Sequence, residues 1–261
     1  MEYSTGQFLR RLLTEARHAS PILRPAEYVL LVSQERTGST LLSNLVSFHP
    51  EILMDLHIFY TPETWPSSRR PGRWLPSSRP VRGFKFKTTH TPLKSSVETA
   101  RDFFRAQQAG GVHIIRLQRQ NLFRQALSAQ MVGKRNVLHA WRDTPAARAA
   151  ARPSTTVDIP DLFGRMEYFE RLTRFQDASL EDIPHLSVTY EQDLLPQNRH
   201  QDTADRIFEY LGLAPARVET QLRKLTSNDL SQIVDNLDEV TAALRDTPFA
   251  RFLEPEVQPV A

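Results

Sequence analysis

An α/β fold is what this sequence predicts, on two strand-to-helix junctions and a length that can bury one large core. Residues 28–32 (Tyr-Val-Leu-Leu-Val) are continuously apolar, as a strand covered on both faces must be, and a polar turn joins them to the helix-like Leu41-Leu42-Ser43-Asn44-Leu45-Val46. Residues 112–117 repeat the pattern: a buried-type strand, the corner Gln118-Arg119-Gln120, then a helical spacing from Asn121 to Met131. At 261 residues the chain can form a single α/β domain, expected over 27–261, with residues 1–26 as a helical extension packed on it.

Taken in order, residues 6–18 read as an amphipathic helix closed by Pro21 and Pro25. The turn Ser33-Gln34-Glu35-Arg36-Thr37-Gly38-Ser39-Thr40 is an anion cradle in outline, because N–H groups in a first helical turn have no intrahelical acceptor and the helix dipole adds positive charge there. Gly38 permits close backbone approach, while Arg36, Ser39 and Thr40 supply side-chain donors. His49 is expected to shape the turn after this helix. Residues 61–80, with prolines at 62, 66, 71, 76 and 80, read as a surface loop.

Residues 81–87 alternate cleanly as a strand, with Phe84 and Phe86 on one face and Lys85 and Lys87 on the other. Residues 142–160 are rich in Ala, Arg and Pro and read as a second mobile segment; a helical pattern resumes at 162–175. Further on, Gly212 suits the position just past a helix end.

Composition removes several chemistries. Cysteine is absent, so disulfides, thiolate metal sites and thiol catalysis are excluded. Formal net charge is +3, and no zinc pattern, aromatic RNA-binding motif or basic repeat points to nucleic acid. The start Met1-Glu2-Tyr3-Ser4 lacks a basic-then-apolar signal and no run approaches a membrane span, so a soluble cytoplasmic enzyme without an integral membrane segment is expected. Oligomeric state is not legible.

A Walker loop needs Gly-Lys-Ser/Thr, and here Ser39 stands where the lysine would be. Arg36-Thr37-Gly38-Ser39-Thr40-Leu41-Leu42 instead resembles the 5′-phosphosulfate loop of sulfotransferases that use 3′-phosphoadenosine 5′-phosphosulfate (PAPS). The stretch from Arg119 through Asn121, Arg124 and Gln125 to Ser128 resembles the 3′-phosphate corner of bacterial carbohydrate sulfotransferases of the nodulation-factor and trehalose type. Residues 185–194, 207–213 and 230–247 resemble the family's late strand, following helix and tail, so the likeness spans about residues 27 to 253.

This resemblance implies a P-loop NTPase-like three-layer fold with a central parallel sheet, PAPS as co-substrate with adenosine 3′,5′-bisphosphate as product, and no metal. Arg36, Thr37, Gly38, Ser39, Thr40 and Leu41 would hold the phosphosulfate. Arg119 and Ser128 would hold the 3′-phosphate, with Arg116 or Arg124 as the alternative arginine, Arg223 and Lys224 completing it. Tyr190 would line the adenine pocket or simply pack at the strand end. Catalytic candidates are Arg36, Lys85, Lys87 and two histidines: His57 takes the place of a family glutamate, and His90 lies in Lys87-Thr88-Thr89-His90, which resembles the Lys-Thr-His stretch of cytosolic sulfotransferases. The implied partner is a small-molecule hydroxyl acceptor, a carbohydrate or natural product. A nucleotide-dependent phosphotransferase and a non-catalytic nucleotide-binding protein are the competing readings.

Overall fold

The computed structural model describes residues 27–55, 79–87, 96–135, 154–220 and 229–253. Within them five strands form one parallel sheet: β1 (Glu27–Ser33), β2 (Ile52–Asp55), β3 (Val81–Lys87), β4 (Val112–Gln118) and β5 (Leu186–Thr189), in the spatial order β2-β3-β1-β4-β5. Parallel neighbours need crossovers, and the helices that supply them cover both faces of the sheet. They are α1 (Ser39–Val46), α2 (Val97–Ala109), α3 (Leu122–Arg135), α4 (Ile159–Leu180) and α5 (His200–Tyr210), followed by α6 (Leu237–Arg245).

Alternation along β1 decides which layer receives which side chain. Val29 and Leu31 enter a cluster with Leu42 and Leu45 of α1 and Ile207 and Phe208 of α5. Tyr28, Leu30 and Val32 enter the opposite layer with Phe84, Phe86, Ala100 and Phe104, reaching Leu180 at the end of α4. A third cluster joins α3, α4 and α6 through Phe123, Leu127, Met166, Phe169, Val240 and Leu244. This is the three-layer α/β arrangement around a parallel sheet, with the Phe84/Phe86 face of β3 turned inward as its alternation requires. Gly83 sits in that buried strand because a Cβ there would run into the Met54 sulfur of β2.

Two local features differ from expectation. β5 gives way at Tyr190 to a single π-helical turn, Tyr190–Leu194, rather than continuing as strand. Residues 154–158, the described end of the stretch read as mobile, are anchored: Thr155 bridges Val234, and the Asn236 amide exchanges hydrogen bonds with the Val157 backbone at 2.8 and 3.1 Å. Expectations for residues 6–18, for most of 61–80 and for 142–153 lie outside the described residues.

His49 does shape its turn. Nδ1 accepts the Glu51 N–H at 3.1 Å, which leaves Nε2–H to donate to Ala214 O at 3.0 Å, and the ring packs 4.7 Å from Phe208. His49→Leu should therefore lower stability by about 1–3 kcal/mol, the usual penalty for stranding buried polar groups, without altering ligand binding. Urea denaturation gives the answer, and a variant as stable as the parent would rule out this role.

Candidate functional site

β1 is the strand from which the sheet grows in both directions: β3 flanks it on one side and β4 on the other. The crevice beyond the carboxyl end of such a strand is where α/β sheets receive ligands. Ser33 is level with Lys87 of β3 and Leu117 of β4, so the carboxyl ends of three strands lie side by side.

The loop after β1 is held open by its own backbone. Arg36 (φ 62°) and Gly38 (φ 89°) both lie in the left-handed region, and the Thr37 hydroxyl donates to Gln34 O at 2.9 Å. Gly38 is the N-cap of α1, no side chain caps that terminus, and no acidic residue stands in its first turn. Elsewhere, Ser96 caps α2 and Asp158 caps α4 through their side-chain oxygens, while α5 and α6, also without a side-chain cap, carry acidic residues in their first turns. The start of α1 is thus kept clear of protein anions, and its dipole faces the crevice.

Around this terminus the structure brings together three residues that the sequence places 92 or fewer positions apart. Arg36 Nε donates to Ser128 Oγ of α3 at 3.0 Å, with |i−j| of 92. Arg119, only 8% exposed, approaches Arg36 O with Nη1 at 3.5 Å and lies 4.5 Å over the Tyr190 ring. Burial pushes the Arg36 guanidinium below its usual range and the like charge of Arg119 adds to the effect, while Glu35 and Tyr190 oppose it. A buried and a half-buried guanidinium group, mutually repelling beside an uncapped helix start, form a site that an oxyanion would relax. Sequence reasoning assigned Arg36 to one phosphate and Ser128 to another; here they share a hydrogen bond.

Two supports of this cluster were not foreseen. Glu191, 8% exposed, accepts Gln120 N–H and Asn121 N–H at 3.0 Å each and pairs with Arg119 Nε at 3.7 Å. It thereby fixes the corner that Arg119 occupies, while Asn121 Oδ1 caps α3 by accepting Arg124 N–H at 2.9 Å. The second support is a buried amide network: Gln125 Nε2 donates to Gln34 Oε1 (3.1 Å) and Glu35 O (2.8 Å), and Gln34 Nε2 donates to Thr173 Oγ1 (2.9 Å) and Gln176 Oε1 (3.4 Å). It ties the loop to α3 and α4.

The remaining candidates separate by position. Lys85, 6% exposed, donates from Nζ to Thr40 Oγ1 at 2.9 Å, whereas Lys87 at the strand end is half-buried. Of the alternative arginines, Arg116 is committed to an ion pair with Asp177 of α4, and Arg124 helps hold the Asp229 carboxyl low, behind the hydrogen bonds that Asp229 accepts from Ser231. Tyr190 packs edge-on to the loop, since a Cβ on Gly38 would come within 2.7 Å of its Cδ2. His57, His90, Arg223 and Lys224 lie outside the described residues. Among the described residues no group of three or more His, Asp or Glu is placed to hold a metal, and no helix is long and apolar enough to cross a membrane.

No family model and no curated protein matches this chain. Among solved structures it is similar to a sulfotransferase from Alicyclobacillus acidocaldarius, at 16% identity over 88% of this chain and 94% of that one, with a TM-score of 0.49. It is also similar to mouse sulfotransferase SULT7A1, solved complexed with PAP, at 14% identity over 77% of this chain and 67% of that one, with a TM-score of 0.38. At this distance the functional reading rests on the side chains of the site.

Proposed function

We propose that the chain is a sulfotransferase that moves a sulfuryl group from PAPS to a hydroxyl of a carbohydrate or secondary metabolite. The observation that carries this reading is the convergence of Arg36, Arg119 and Ser128 beside the uncapped start of α1, in a loop whose Walker lysine position is Ser39. Two anion-binding elements lie there: the helix terminus with Thr37 to Leu41, suited to the 5′-phosphosulfate, and the Arg119/Ser128 corner, suited to the 3′-phosphate.

In the transfer, the acceptor oxygen bonds to sulfur as the bond from sulfur to the bridging phosphate oxygen breaks, and adenosine 3′,5′-bisphosphate leaves. Donors already aimed at that leaving oxygen lower the barrier because they need not reorganise. Arg36 and the α1 amides are assigned to it. The acceptor proton goes to a base, for which His57 is the first choice and His90 the second, both from sequence position; neutral imidazole titrates in the working range. Single-turnover rates of His57→Ala and His90→Ala discriminate them, since the base variant loses chemistry while donor binding persists.

The donor site is tested by thermal shift with adenosine 3′,5′-bisphosphate, AMP and ATP, because a ligand stabilises only the fold that binds it. The bisphosphate should stabilise the chain most. Arg119→Ala and Ser128→Ala should each weaken its binding by about 1.5–3 kcal/mol, the worth of a charged hydrogen bond, while leaving AMP nearly unaffected. Equal losses for both ligands defeat the 3′-phosphate assignment, and preference for ATP favours phosphotransfer.

A further inference from the structure

Among the described residues no carboxylate pairs with the buried ammonium of Lys85. Its Nζ reaches across from β3 to Thr40 Oγ1 at 2.9 Å, at the second residue of α1, and among the described residues it forms no ion pair and no other hydrogen bond. An ammonium has three donors, so two are left without a partner among the described residues and can serve a ligand. Their position matters: the loop carries Ser39 where a Walker loop carries lysine, and the neighbouring strand delivers an ammonium to the next residue along.

We infer that Lys85 is the lysine of this phosphate loop, delivered from β3 instead of from the loop itself, and that its ammonium binds an oxyanion of the ligand seated at the start of α1. This deepens the proposed function and rests on it for the identity of the ligand, though not for the anion. Among the described residues the charges around Lys85 are few. Lys87 on its own strand repels it; from α1 it meets the neutral Thr40; residues 28–33 of β1 offer only Tyr28, in the opposite layer; and β2 has one titratable residue, Asp55, whose side chain lies outside the described atoms. Burial, seconded by Lys87, lowers Lys85 from 10.5 to about 8. Near that pH the amine is part neutral in the free protein, and an arriving anion raises its proton affinity, so binding should draw a proton from solution.

The test is isothermal titration calorimetry of the full chain with adenosine 3′,5′-bisphosphate and, separately, inorganic pyrophosphate, each in two buffers of different ionisation enthalpy. With the bisphosphate, whose phosphates are fully ionised at pH 8, the wild type should take up about half a proton per site at that pH. Affinity should fall by up to about tenfold per pH unit above pH 8.5. Lys85→Met should remove the uptake, flatten the pH dependence and weaken binding at pH 7 by about 10–100-fold, the range of one charge-assisted hydrogen bond.

If the bisphosphate binds Lys85→Met with unchanged affinity and proton count, the inference is overturned while the nucleotide reading stands. If only pyrophosphate binds, with uptake that depends on Lys85, the inference holds and the nucleotide reading falls. A wild type that binds the bisphosphate without proton uptake at pH 8, or binds neither anion, overturns the inference without recourse to the variant, so poor folding of Lys85→Met leaves the question decidable.

Discussion

Glu191→Ala is expected to lower stability by about 3–5 kcal/mol, the effect of deleting one partner of a buried ion pair. One carboxylate here accepts two backbone N–H groups, from Gln120 and Asn121, and forms an ion pair with the Arg119 guanidinium. Removing it leaves a buried positive charge beside a second one on Arg36, and strands two amides at the corner where β4 turns into α3. Glu191→Gln keeps one acceptor oxygen but no charge, so it should fall between the two. Urea denaturation reads the stability, and calorimetry with adenosine 3′,5′-bisphosphate reads the site. A loss below about 1 kcal/mol in the alanine variant, the size of an exposed pair, would show that Glu191 is not the anchor of this corner.

Gly38→Ala should reduce stability by about 2–5 kcal/mol and bring anion binding down with it. Two independent causes add. An L-residue held at φ 89° is strained, by about 1–2 kcal/mol. The new Cβ would also stand 2.7 Å from Tyr190 Cδ2 and 3.3 Å from Leu194 Cδ1, an overpacking worth about 1–3 kcal/mol. Tyr190 has little room to yield, because Arg119 lies over its ring. The two causes can be separated with Gly38→Ala/Tyr190→Ala, in which the clash disappears and the dihedral strain remains, so the double variant should lose less than the sum of the singles. Additive losses would refute the contact between ring and loop, and a Gly38→Ala protein that binds the bisphosphate as tightly as wild type would refute the cradle.

The strand-to-helix junctions could be read in the sequence because each is local: an apolar run, a polar turn with glycine, then helical spacing. β3 was legible for the same reason, through its period of two. β2 was not, since Ile52–Asp55 is four residues long and leaves almost no periodic signal. α4 extends beyond the residues 162–175 that read as helical, because one of its faces meets α3 and another meets α2, which blurs the single apolar stripe that marks a helix.

At the site, residue types were legible and partnerships were not. Arg36, Arg119 and Ser128 stood out as anion ligands by chemistry. That Arg36 bonds Ser128, and that Arg119 belongs to the loop while Arg116 turns to Asp177, follows only from placing β4 beside β1. The structural roles of Glu191 and Gln125 were not legible, for their partners are 70 and 91 residues away.

The scaffold beneath the loop is built from amides and hydroxyls: Gln34, Gln125, Gln176 and Thr173 bear no formal charge. Counter-ions have nothing to displace there, and protonation changes have nothing to act on. Loop shape and ligand affinity should therefore respond to ionic strength in different ways. Raising salt should weaken the attraction between the arginines and an incoming phosphate, as screening demands, while amide exchange at residues 34–38 stays constant. The site would lose its grip in salt without losing its form, which makes high-salt buffer a practical means of recovering the empty, correctly shaped protein should the proposed nucleotide copurify with it.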